Sequence, residues 1–154
     1  MSGRPLNILL VEDNPDHAEL VRRSLEHFPG ASRLHHVEDG EAAMDYLLGQ
    51  GIFADRAQFP APDLVLLDLR LPRVDGLEVL RRVKRHPTLH RTPVVMLTTS
   101  DAERGVALAF EHKVNSFLTK PVDGRSFFHL LTELGFHWPA GRENLPAAGT
   151  RGEP

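Results

Sequence analysis

The 154-residue chain contains no cysteine. That excludes disulfides, thiolate metal sites and cysteine nucleophiles. No apolar run approaches the roughly 18 residues of a membrane span, and the start Met1-Ser2-Gly3-Arg4-Pro5 lacks the apolar core of a secretory signal. There is no basic run or basic face of the kind phosphate binding needs, and the formal net charge is -3. Neither nucleic acid nor membrane is therefore expected as a partner, and the chain reads as soluble and cytoplasmic. A composition of 41% hydrophobic and 25% charged residues suits one domain with a single core. We place that domain at residues 1–138 and expect a flexible tail, rich in Pro, Gly and Ala, at 139–154. No internal repeat or linker to a second domain is visible.

What the sequence does have is a set of short apolar runs with polar ends. Ile8-Leu9-Leu10-Val11 runs into Glu12-Asp13, Leu64-Val65-Leu66-Leu67 into Asp68, Val94-Val95-Met96-Leu97 into Thr98-Thr99-Ser100, and Phe117-Leu118-Thr119 into Lys120-Pro121. Unbroken apolar runs of this length fit strands buried on both faces, as in a parallel sheet covered by helices. A weaker strand, Arg33 to Val37, is expected in a more exposed position. Residues just past the carboxyl ends of parallel strands converge on one edge, where ligands bind. Here that edge would carry three carboxylates, a hydroxyl and an ammonium group.

Helical periods fill the intervals. Asn14 caps a helix with Pro15 at its first position, where a missing N–H costs nothing, and Ala18, Val21, Leu25 and Phe28 form its stripe. Gly40 to Leu48 reads as a second helix ended by Gly49, and Asp75 to His86 as a third carrying Val79, Leu80 and Val83. Ser100-Asp101-Ala102-Glu103 has capping-box spacing and opens a helix to about His112. Asp123 would cap a last helix through Phe127, Leu130, Leu131 and Leu134. Gln50 to Pro62 is loop-like, although Ile52, Phe53 and Phe59 imply that it packs down. The expectation is a doubly wound α/β domain with five βα units.

The acidic edge has its own chemistry. Two carboxylates about 4 Å apart repel by about 4 kcal/mol at an effective dielectric near 20, so three together either raise their pKa values or hold a cation. Mg²⁺ fits, because it takes one or two carboxylates, a carbonyl and waters and leaves positions for phosphate. An aspartate beside such a metal is a plausible nucleophile toward phosphorus, with Lys120 and Thr98 placed to bind the phosphoryl oxygens. Asp68 attacks as an anion, so no general base is needed.

These residues resemble a known family. Leu9-Leu10-Val11-Glu12-Asp13-Asn14, Leu66-Leu67-Asp68-Leu69-Arg70-Leu71-Pro72 with Asp75-Gly76, Met96-Leu97-Thr98 and Lys120-Pro121 look like the receiver domain of two-component response regulators, over roughly Pro5 to Phe136. The long Gln50 to Pro62 loop and the tail Phe136-His137-Trp138 look most like the single-domain regulators that accompany bacterial phytochromes. The resemblance implies a flavodoxin-like sheet of order 2-1-3-4-5. It makes Asp68 the phosphoacceptor, and Glu12, Asp13, Asp68 and the backbone carbonyl of Arg70 the Mg²⁺ ligands. Thr98 is the switch hydroxyl, Lys120 the phosphoryl partner and Phe117 the switch aromatic; phenylalanine there departs from the tyrosine of many receivers. Arg70 and Ser100 are expected to flank the hydrolytic water and tune lifetime.

The implied donor is a sensor histidine kinase, a phytochrome by the narrower likeness, and the chain is expected to act as a switch without its own output domain. It would be no enzyme beyond transfer to its own Asp68 and slow self-dephosphorylation. A homodimer is expected through the face of the fourth helix, fifth strand and fifth helix, with Phe127, Phe128, Phe136 and Trp138 as contacts, because the last helix spreads apolar residues over more than one face. The alternative reading is a haloacid-dehalogenase-type phosphohydrolase, which needs a second aspartate where this chain has Arg70. A flavodoxin-like cofactor binder shares the fold, but Glu12-Asp13-Asn14-Pro15-Asp16 would repel its phosphate.

Overall fold

The computed structural model describes residues 5–26, 32–98, 116–120, 122 and 124–135. Five strands, β1 (Leu6–Val11), β2 (Ser32–Val37), β3 (Leu64–Asp68), β4 (Val94–Thr98) and β5 (Ser116–Thr119), form one parallel sheet in the order β2-β1-β3-β4-β5. Helices α1 (Pro15–Glu26), α2 (Gly40–Leu48) and α3 (Gly76–Arg85) and a final helix, Gly124–Glu133, complete the described elements. This is the doubly wound α/β architecture and strand order expected from the sequence. The weaker β2 takes an edge position.

Alternation along each strand divides the core in two. Leu9, Val11, Val65, Leu67 and Met96 face α2 and α3, meeting Tyr46, Leu47, Val79, Leu80 and Val83. Ile8, Leu10, Leu64, Leu66, Val95 and Leu97 face the other way, against Val21 and Leu25 of α1 and Phe127, Leu130 and Leu131 of the final helix. Each fully buried aliphatic side chain contributes about 1.5–3 kcal/mol. Both faces of β1, β3 and β4 must therefore be covered, and that is why these runs do not alternate with polar residues.

The helix starts follow their caps. Asn14 Oδ1 accepts from the amides of Asp16 (2.8 Å) and His17 (3.2 Å), Asp39 from Ala42 (2.7 Å) and Asp75 from Glu78 (3.1 Å). Gly49 ends α2 in the left-handed region at φ 67°.

Two expectations need correction. The Gln50–Pro62 loop does pack down, through Phe53 and Phe59 against Tyr46 with ring centroids 5.1 and 6.0 Å away, and Arg56 donates to the carbonyls of Tyr46, Leu47 and Phe59. Ile52, however, is 81% exposed, because it sits in the one-turn 3-10 helix Gly51–Phe53, of which only Phe53 packs against the core cluster. On α3, Lys84 is half-buried where Arg81, Arg82 and Arg85 are exposed, and it donates to the carbonyls of His90 (3.4 Å) and Thr92 (3.0 Å), so it ties α3 to the chain entering β4.

The second correction concerns the final helix. Phe127 is wholly buried in the chain's own core, and Phe128 and Leu134 pack at the margin of the same cluster. Its apolar excess is spent within the domain, because a short helix lying across a sheet edge is covered over more than one narrow stripe. Phe127 is thus a core residue and not a dimer contact. Phe28, the helix expected from Ser100, the Asp123 cap, Phe136, Trp138 and the 139–154 tail lie outside the described residues.

Candidate functional site

The register of the sheet assembles the site. Val11 pairs with both Val37 and Leu67, Asp68 with Leu97, and Thr98 with Thr119. Glu12, Asp68, Thr98 and Lys120 therefore arrive together at the carboxyl ends of four adjacent strands, β1, β3, β4 and the edge strand β5. Backbone bonds continue the ladders past the strand ends. Glu12 N donates to Val37 O (3.0 Å), Leu69 N to Leu97 O (3.4 Å) and Lys120 N to Thr98 O (2.7 Å).

Glu12 is fully buried, and Asp68 and Thr98 nearly so, while Asp13 is exposed. The Lys120 ammonium lies 2.6 Å from Glu12 Oε1 and 3.2 Å from Asp68 Oδ2, and its side chain is only 9% exposed. Glu12 Oε2 accepts from Asn14 N at 3.1 Å, and Asp68 Oδ1 accepts a long bond from Arg70 N at 3.4 Å. Burial raises the Asp68 carboxyl to about 6, with Lys120 pulling it down and the charge of Glu12 pushing it up further. One cation thus faces two buried carboxylates, with a third at the rim.

That imbalance is what a divalent ion would relieve. One oxygen each of Glu12, Asp13 and Asp68 lie within 4.8 Å of one another. Glu12 Oε1 is buried and accepts no hydrogen bond, the 2.6 Å approach of Lys120 being an ion pair only. Hard carboxylate oxygens of this kind suit Mg²⁺, Mn²⁺ or Ca²⁺ in preference to softer metals. Among the described residues no other cluster of metal-ligating side chains has this spacing.

The loop after Asp68 is held tightly. Gly76 N donates to Leu69 O at 3.0 Å, and a Cβ on Gly76 would stand 2.2 Å from the Asp68 carbonyl oxygen, so only glycine lets α3 begin so close to the end of β3. Arg73 takes φ 68°, uncommon for a side-chain-bearing residue, and its guanidinium meets Asp39 at 3.3 Å and Glu41 at 3.4 Å at the start of α2.

Of the residues expected from sequence, Glu12, Asp13, Asp68 and Lys120 are brought together, and Thr98 is buried beside them. Arg70 exposes its side chain. Phe117 is half-buried on β5 and packs against the α2–α3 core cluster. Ser100 lies outside the described residues. Sequence reading missed His17, whose Nδ1 lies 3.2 Å from Lys120 Nζ. Its only trace in the sequence is its place three residues after the Asn14 cap, at the start of the helix beside the acidic pair.

The family model described as the response regulator receiver domain matches residues 8–132. The chain is 40% identical over 147 residues to the response regulator Rcp1 of Synechocystis sp., covering 96% of this chain and 97% of that protein. A structure of the Mn²⁺-bound form of Rcp1 superposes with a TM-score of 0.69 over 88% of this chain and 100% of Rcp1, at 39% identity. The bacteriophytochrome response regulator AtBRR is 44% identical with a TM-score of 0.81, covering 88% of this chain and 96% of that one. "Probable methanogenesis regulatory protein FilR2" of Methanothrix harundinacea is 43% identical over 135 residues, 87% of this chain and 84% of that protein.

Proposed function

The chain belongs to the response regulator receiver domain family, and from that premise we propose that Asp68 is its phosphoacceptor, charged by a sensor histidine kinase of phytochrome type. Receivers of this family take a phosphoryl group from histidine kinases and bind a divalent metal in an acidic pocket. The observation that carries the Asp68 assignment is the Lys120 ammonium set between Glu12 Oε1 and Asp68 Oδ2 at the carboxyl edge of the sheet.

In the proposed reaction an Asp68 carboxylate oxygen attacks phosphorus, the P–N bond of the donor phosphohistidine breaks, and the imidazole keeps the electron pair. Lys120 then follows the charge onto a phosphoryl oxygen, and the Thr98 hydroxyl donates to another, with Phe117 repacking as Thr98 moves. Glu12, Asp13, Asp68 and the Arg70 carbonyl would hold Mg²⁺, which when bound neutralises the charge that develops on the transferring group. Phosphorylation would reshape the surface of the fourth helix, fifth strand and fifth helix. Position 70 being arginine removes the acid that a phosphohydrolase of haloacid-dehalogenase type requires.

Intact mass tests this reading. Acetyl phosphate with Mg²⁺ should add one phosphoryl group, and chelator should prevent it; labelling undiminished in chelator would sink the metal assignment. Arg70 and Ser100 are proposed to tune the lifetime of the acyl phosphate. Arg70→Ala should therefore change the decay rate severalfold while Mg²⁺ affinity, measured by calorimetry, stays the same, because only the backbone carbonyl is a ligand. The opposite pattern would overturn the assignment.

Likeness to AtBRR supports a phytochrome donor, which phosphotransfer from a purified bacteriophytochrome kinase would check. A homodimer through Phe128, Phe136 and Trp138 is the remaining proposal, supported by the aromatic residues that follow the final helix. Light scattering should give a dimer for the full chain and a monomer for a chain truncated after Gly135. Equal dimerisation of both would remove the tail from the contact.

A further inference from the structure

A lysine ammonium has three hydrogens and accepts none. Around Lys120 stand Glu12 Oε1 at 2.6 Å, Asp68 Oδ2 at 3.2 Å and His17 Nδ1 at 3.2 Å. The contact with Glu12 is an ion pair, and the imidazole is the uncharged partner of the three. Because the ammonium can only donate, Nδ1 accepts from it in the tautomer whose proton sits on Nε2; Glu12 Oε2 lies further off, 3.9 Å from Nδ1. His17 is itself fixed by the start of α1. Asn14 Oδ1 accepts from the His17 amide at 3.2 Å, while the Asn14 amide donates to Glu12 Oε2 at 3.1 Å. Helix cap, buried carboxylate and imidazole form one connected unit.

We propose that His17 is a positioning residue for phosphoryl transfer, aiming the Lys120 ammonium at the group arriving on Asp68. The inference rests on Asp68 being the phosphoacceptor. As transfer proceeds, the attacking oxygen of Asp68 becomes part of an acyl phosphate and loses its negative charge. Glu12 meanwhile shares its charge with whatever cation the three carboxylates hold. Both ionic partners of Lys120 thus weaken at the moment the phosphoryl oxygens need it. His17 is not among the clustered carboxylates, and Nδ1 keeps its hydrogen bond throughout. One N–H stays anchored, the side chain stays in its rotamer, and the other two N–H groups are free to turn onto phosphoryl oxygens. Without that anchor the long lysine stem would have to be ordered during the reaction.

Two measurements test this. Ring ¹⁵N spectra of the metal-free protein, at mildly alkaline pH, should show His17 as the Nε2–H tautomer with Nδ1 accepting; an Nδ1–H tautomer would overturn the contact. Phosphorylation rates should then be followed against acetyl phosphate concentration at saturating Mg²⁺. His17→Ala is expected to lower the limiting rate about tenfold through lost pre-organisation, with Mg²⁺ affinity and Tm unchanged. His17→Asn, whose Oδ1 falls where Nδ1 was, should recover most of that loss. An alanine variant at the wild-type rate, or an asparagine variant as slow as alanine, overturns the proposal. A wild-type chain that takes no phosphoryl group on Asp68 defeats the phosphoacceptor reading, and the positioning role falls with it.

Discussion

Asp68→Asn should abolish labelling by acetyl phosphate and, at the same time, make the metal-free protein more stable at neutral pH. The first effect follows from removing the nucleophile. The second follows from where Asp68 sits. Its carboxyl is raised in the folded chain from 3.8 to about 6, mainly by burial, so between those pH values the folded state binds its proton more tightly than the unfolded state does. Stability therefore falls as pH rises through that window, and the whole penalty, about 2–3 kcal/mol, is present above it. Asparagine fills the same space without the charge. Chemical denaturation in chelator should show the variant more stable than wild type above pH 6, with the difference closing as pH is lowered toward 4. Added Mg²⁺ should narrow the gap from the other side, by stabilising wild type alone. Equal stability of the two proteins at neutral pH would mean that the buried carboxylates are already compensated.

Lys120→Met should do the reverse. It keeps the length of the stem and the backbone bond from residue 120 to Thr98 O, but it leaves Glu12 and Asp68 facing each other with no buried cation. Breaking a buried pair by removing one partner costs about 3–5 kcal/mol. The metal-free variant should therefore lose about 3 kcal/mol at neutral pH and recover part of it in mild acid, where one carboxyl takes up a proton. Its phosphorylation rate should fall by about 10²–10³, the usual effect of deleting a charge-stabilising donor. Lys120→Arg should restore stability better than rate, because a planar guanidinium pairs with carboxylates but cannot follow the phosphoryl oxygens as a compact ammonium does. A methionine variant as stable as wild type in chelator would show that Lys120 is not what holds the acidic pair.

The contrast between these two substitutions separates what is local in this protein from what is not. The strands, their burial on both faces and the convergence of Glu12, Asp68, Thr98 and Lys120 were legible in the sequence, because an apolar run ending in a polar residue encodes both a buried strand and its exit. The start of the first helix was equally legible, since Asn14 satisfies amides two and three residues ahead, and Asp39 and Asp75 cap α2 and α3 in the same local way. These are short-range relations, and the residue types themselves carry them.

What only the tertiary structure decided are contacts between segments far apart in the chain. The likeness of Phe127 to its neighbours on the final helix hid that it is fully core, because which face meets the sheet depends on how the helix docks. Ile52 and Phe53 are adjacent and similar in character, yet one is exposed and the other packs against Tyr46. Lys84 is half-buried and held by the carbonyls of the loop that follows it. The partnership of His17 with Lys120 spans 103 residues and exists because the parallel sheet brings the carboxyl ends of β1 and β5, with two strands between them, to one edge of the sheet. Hydrophobic pattern and capping act over a few residues and fix which elements form. Register, strand order and the docking of helices fix which side chains meet, and those are properties of the assembled chain alone.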